Sequence, residues 1–179
     1  MRDQTFLTFQ LNQLNNHIME NSNTRAGQLA DRLLLGANKL ADFAEGLSES
    51  DWNKPVLGDG RSVGVVVHHV ASVYPIEVEL AQVLGQGNTI SEVTKQAIDT
   101  MNANHASENQ HADKQSTLDL LRTNSKNAAN AIRNFTNEEL DNSAPVSLYY
   151  DAPLTAQFFI EDHALRHSFH HLGKIKASL

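Results

Sequence analysis

The sequence predicts an all-α protein: a bundle of about four helices with additional short helices. Three observations carry this. Four segments repeat apolar residues at three- and four-residue spacing. Aromatics are only 6% of the 179 residues, and the chain is rich in Ala, Leu, Asn and Gln, which favours helices over a sandwich or barrel. The connections are long enough for crossovers between packed helices.

The elements follow in order. Residues 1–23 form an N-terminal arm or short amphipathic helix around Phe6, Leu7, Phe9, Leu11, Leu14 and Ile18, suited to covering the core or to a homodimer contact. Residues 24–179 form the bundle. Its first helix spans 24–47, with Leu29, Leu33, Leu34, Ala37, Leu40, Ala41, Ala44 and Leu47 on one stripe. Ser48-Glu49-Ser50-Asp51 has the form of a capping box before Trp52, and Pro55, Gly58 and Gly60 mark a loop. The second helix covers 62–84, with Ser62 as N-cap and Gly85 and Gly87 as its stop. Residues 90–111 are helical but polar. Residues 116–135 carry a better stripe through Leu118, Leu121, Ala128, Ile132 and Phe135. Thr136-x-x-Glu139 is a second capping box, residues 141–153 read as a loop with Pro145 and Pro153, and the last helix runs from about Thr155 to Ala177.

Composition narrows the function. With 14 Lys+Arg against 21 Asp+Glu the net charge is −7, which argues against a sequence-independent nucleic-acid binder and against an anionic membrane surface. The chain has no cysteine, so disulfides, thiolate metal sites and a cysteine nucleophile are excluded. The longest uncharged run, Ser62 to Ile76, falls short of the ~20 residues of a membrane span. Residues 1–10 do not read as a secretory signal, so a cytoplasmic protein is expected. Rossmann, P-loop and nucleophile-elbow glycine motifs do not occur.

Histidines are the informative feature. Nine occur, at positions 17, 68, 69, 105, 111, 163, 167, 170 and 171, and six of them fall in two helices. At about 100° per residue, His69 lies amid Val65, Val66, Val73, Ile76, Leu80, Val83 and Leu84 on the apolar face of the second helix. A lone buried histidine is more often a packed core residue than a ligand. The last helix changes that balance, because His163, His167 and His171 stand at i, i+4, i+8 along a face shared with Ala156, Ile160 and Ala164. Buried imidazoles need partners for their nitrogens, and a metal ion supplies one. Two histidines at i, i+4 can share an ion, and a third from a facing helix completes the set. The competing reading is a solvated groove or a histidine–carboxylate network. Spacing alone leaves His163/His167 and His167/His171 equally open, with His170 beside them. His17, His105 and His111 lie in polar stretches and are expected on the surface.

These residues carry a resemblance. SVGVVVHHVA followed downstream by HSFHHLGKI is similar to the DinB-like family, in particular its YfiT-like branch. The resemblance implies a four-helix bundle with one metal-binding histidine on the second helix and a pair on the last. It assigns these roles to His69 and to His167 with His171. Three positions depart from the family pattern: Arg61 replaces a frequent Trp, Ser72 a frequent acid, and Lys174 a Gln or His. A three-histidine site leaves coordination open for water or for a substrate thiolate. The family likeness implies both uses, in metal-dependent hydrolases and in transferases of low-molecular-weight thiols such as bacillithiol, mycothiol or glutathione. The expected cofactor is a divalent metal, zinc or nickel first, and the expected partner a small-molecule substrate. The alternative is a non-catalytic, stress-related bundle binding a metal or small ligand. No general base stands out among Glu77, Glu79, Asp99, Glu161 and Asp162. Tyr74 is read as lining the mouth or as ordinary packing, and Asn102 and Asn104 as candidate substrate contacts.

Overall fold

A computed structural model describes residues 24–179. The N-terminal arm expected over residues 1–23, and His17 with it, lie outside the described residues.

The main helices start where capping side chains end the preceding chain. Thr24 accepts from Gly27 N at 3.0 Å and opens α1 (Arg25–Glu45). Ser48 does the same for the one-turn α2 (Glu49–Trp52), and Ser62 for α3 (Val63–Gly85). Thr94 opens α4 (Lys95–Glu108), and Asp113 opens α5 (Lys114–Arg133). The capping box at α6 (Asn137–Asp141) is complete: Glu139 N donates to Thr136 Oγ1 at 3.1 Å, and Thr136 N donates to Glu139 Oε2 at 2.8 Å.

Helices α1, α3 and α5 and the C-terminal helix make the bundle. α5 packs against both α1 and α3, and the C-terminal helix closes against the same two. Leu29, Leu33 and Leu40 of α1 meet Leu118, Leu121 and Ile132 of α5 in one core, all essentially without exposure. α3 is long and apolar enough to cross a membrane by length and composition, yet 67% of its apolar window is buried inside the bundle, as befits its central helix. α4 is different. None of its residues is fully buried, so it stands off α3 as a partial cover.

Residues 141–153 are not a plain loop. Two short antiparallel strands, β1 (Ser143–Val146) and β2 (Ala152–Thr155), form a hairpin in which Pro145 faces Pro153. Prolines are tolerated because the sheet has only two strands, both of them edges. Ala144 and Val146 turn inward, and Ile90 N donates to Pro145 O at 3.0 Å, joining the hairpin to the chain after α3. The turn needs left-handed backbone at Tyr150 and Asp151, at φ 57° and 61°.

The C-terminal helix is not regular either. α7 (Ala156–Phe159) leads into a π turn at Ile160–Leu165, which leads into α8 (Arg166–Ser178). The wider π turn breaks the regular 100° step between His163 and His167, so the three histidines no longer form one simple row.

Candidate metal centre

Three of the histidines converge. His69 of α3 and His167 and His171 of α8 each present a ring nitrogen, and the three nitrogens lie within 4.8 Å of one another. His69 and His171 are 6% and 7% exposed. His69 Nε2 is 3.3 Å from His167 Nε2, and the rings of His167 and His171 stack at 4.8 Å.

Glu77 orients the group. Its Oε1 is 2.5 Å from His167 Nδ1. A carboxylate oxygen accepts, so Nδ1 is the His167 nitrogen that donates, and Nε2 is the one turned toward His69. Glu77 is only 8% exposed and belongs to the buried side of α3. In the sequence it was one of five acids among which no general base stood out. The signal was there: an acid between Ile76 and Val78, four residues after Val73 on the apolar side of the helix.

Burial weakens the histidines as bases. Desolvation, followed by the neighbouring His167, pushes His69 down to about 3. Desolvation, then His167 and His69, pushes His171 down to about 2. Both rings are therefore neutral at pH 7, the state a metal requires. Two further observations fit a cation at this point. Two nitrogens about 2.0–2.1 Å from one tetrahedral zinc stand about 3.3 Å apart, which is the His69–His167 spacing. His171 Nδ1 and Glu77 Oε2 are buried polar atoms without a hydrogen-bond partner.

The histidines floor a cavity of about 470 Å³ between α3, α4, the hairpin and α8. Val73, Ile76, Leu80, Ile98, Leu148 and Phe159 give it apolar walls. Ile76 is 43% exposed because the apolar face of α3 opens here onto the cavity and not onto a closed core. Arg61, Lys174, Asn102 and Glu92 supply polar groups. Asn102 Oδ1 is buried without a partner, whereas Asn104 is exposed and not among the lining residues.

The remaining candidates fall elsewhere. His163 lines the cavity but joins a different network: Tyr149 Oη donates to Asp162 Oδ2 at 2.7 Å and lies 2.9 Å from His163 Nε2, while Phe159 stacks on the ring at 4.2 Å. His170 is exposed and meets His171 edge-on at 5.1 Å. Tyr74 is fully buried and bonded to Ser168 at 2.5 Å, so the packing reading holds. Asp99 pairs with Lys95, Glu161 with Arg32 and Asp162 with Arg166; Glu79 is exposed. His111 is exposed as expected. His105 is half-buried and faces α3, where a surface position was expected. Its Nε2 lies 2.8 Å from His68 Nδ1, its ring is 5.6 Å from that of His69, and its Nδ1 is buried without a partner. The polar surroundings in α4 hid it, because no apolar stripe marks the side that faces α3.

The fold and site together define a helical bundle with a buried three-histidine group at the floor of a cavity. The chain belongs to the DinB superfamily, whose family model matches residues 32–175. Two solved structures share the fold. One is YfiT from Bacillus subtilis, described as a probable metal-dependent hydrolase with an unusual four-helix bundle topology, with TM-score 0.68, 17% identity, and coverage of 87% of this chain and 86% of that one. The other is a mycothiol-dependent maleylpyruvate isomerase, with TM-score 0.65, 11% identity, and coverage of 87% of this chain but only 62% of that enzyme. No curated protein matches the sequence.

Proposed function

We propose that this protein is a divalent-metal enzyme acting on a small molecule, as a hydrolase or as a transferase of a low-molecular-weight thiol. The observation that carries the reading is the convergence of His69, His167 and His171 on the cavity floor, with Glu77 fixing the tautomer of His167. Bound there, zinc or nickel would supply Lewis acidity to a substrate oxygen or hold a substrate thiol deprotonated. The chain's own residues do the rest. His69, His167 and His171 hold the ion as neutral ligands. Val73, Leu80, Leu148 and Phe159 bury the apolar part of a substrate and keep water from it. With no cysteine in the chain, a thiol must come from substrate or cofactor. Such thiols are kept reduced in the cytoplasm, the compartment this reading implies.

Glu77→Ala is expected to weaken metal binding about 10–100-fold in a chelator competition, because the His167 ring loses the acceptor that sets its tautomer. Unchanged affinity would remove Glu77 from the site. The activity is tested by assaying ester and thioester hydrolysis, and thiol adduct formation, with metal-loaded and chelated protein. Turnover lost on chelation and restored by zinc or nickel is expected. A metal-loaded protein inert across both classes would leave the non-catalytic ligand-binding bundle as the better reading.

A further inference from the structure

The cavity has a polarity that its histidines do not explain. Arg61 and Lys174 line the end where the start of α3 meets the last turns of α8. Leu80, Leu148 and Phe159 wall the opposite end, and the histidine nitrogens lie between.

Arg61 commits only part of its guanidinium. Nε donates to Asp59 Oδ1 at 2.6 Å and Nη2 donates to Asp59 Oδ2 at 2.8 Å. Nη1 is buried and has no hydrogen-bond partner. A guanidinium offers five donors, and two of them are desolvated and unanswered here, so the Asp59 carboxylate does not satisfy the whole group. Lys174 follows His171 by three residues, so it shares the cavity side of α8. Its ammonium makes no ion pair or hydrogen bond among the described residues.

The other charges are accounted for. Asp59 is held by Arg61, and Glu77 by His167. Glu92 is exposed, and belongs to the chain between α3 and α4, away from the Arg61 end. At this end two cations, Arg61 and Lys174, stand against one carboxylate, Asp59, while Glu77 and Glu92 line other parts of the cavity. Arg61 lines the same cavity as His69, His167 and His171, so a head group bound on it leaves the rest of the molecule beside the ring nitrogens.

We propose that the site takes an amphipathic carboxylate, with its anionic head beside the Arg61 guanidinium and Lys174 and its apolar body along Val73, Ile76 and Leu80. The inference deepens the preceding reading and rests on it for where reaction occurs. The head-group preference itself is a property of this chain's own residues.

Calorimetry with 4-phenylbutanoate, 4-phenylbutanol and 4-phenylbutylamine tests it, on the full chain as purified and again after chelator treatment. The carboxylate should bind at least tenfold tighter than the alcohol in both preparations, with the amine weakest. Lys174→Gln, at an exposed position, should cut the preference at least threefold. The paired change Asp59→Asn with Arg61→Gln removes both members of the buried ion pair and should abolish it, leaving the alcohol's affinity unchanged. Equal binding of alcohol and carboxylate, no carboxylate binding at millimolar concentration, or a preference that survives both variants would overturn the proposal. A preference seen only before chelation would also overturn it, because the carboxylate would then be on the metal. Metal content measured alongside separates the two readings: a chain with the preference but no metal keeps this inference and loses the previous one.

Discussion

Metal-free protein is expected to lose about 4 kcal/mol of stability between pH 7.5 and pH 5. The cause is the buried pair His69 and His171, held at about 3 and about 2 in the folded chain. In the unfolded chain both return to about 6.5. Below that value the unfolded state binds protons that the folded state refuses, so stability rises with pH across the window and falls as pH drops. Each histidine contributes about 1.4 kcal/mol per pH unit once well below 6.5. His68, His105 and His163 are lowered by desolvation as well and add in the same direction. The loss is a large share of a typical folding free energy of about 5–15 kcal/mol. Urea unfolding of chelator-treated protein at the two pH values measures it. His171→Asn should remove about half of the dependence. Equal stability at pH 7.5 and pH 5 would mean that the histidines are solvated and not buried.

Gly64→Ala is the second large effect. Gly64 lies in the first turn of α3, and a Cβ there would stand 2.4 Å from Trp52 Nε1 and 2.5 Å from its Cε2. Trp52 cannot yield cheaply: it is buried, and its indole N–H donates to Ala112 O at 2.9 Å. In an open helix the change would gain about 1 kcal/mol from propensity. Here overpacking costs about 1–3 kcal/mol, and breaking the buried indole bond costs about 1–3 kcal/mol more. A net loss of roughly 1–5 kcal/mol is expected from the urea midpoint. The same contact ties α2 to the chain before α5 and sets where α3 begins, so Arg61 and His69 move if it fails. A stabilised variant would show that α2 does not pack there.

Helix starts were the most legible part of the chain. Ser62 and Thr136 announce themselves because a capping side chain acts within three residues, a range that sequence displays directly. The hairpin at Ser143–Val146 and Ala152–Thr155 was not legible. Its strands hold four residues each and carry prolines, and what stabilises it is the distant Ile90. His69 and His167 were legible from their place on apolar faces, and the family resemblance selected His171 beside them. The structure brings these three nitrogens together and sends His163 to Tyr149, through a π turn that no local pattern signals. Glu77 and His105 were missed for one reason. Each is polar, and each is turned inward by a partner on another helix, 90 and 37 residues away in sequence.

The central claim is that His69, His167 and His171 hold one divalent metal ion. Elemental analysis of tag-free protein, with His69→Ala and His171→Ala prepared identically and checked for helicity, tests it most directly. The account predicts about one zinc or nickel per wild-type chain and loss of that metal from both folded variants. Wild-type protein that carries no metal and takes up neither zinc nor nickel at micromolar concentration would contradict it.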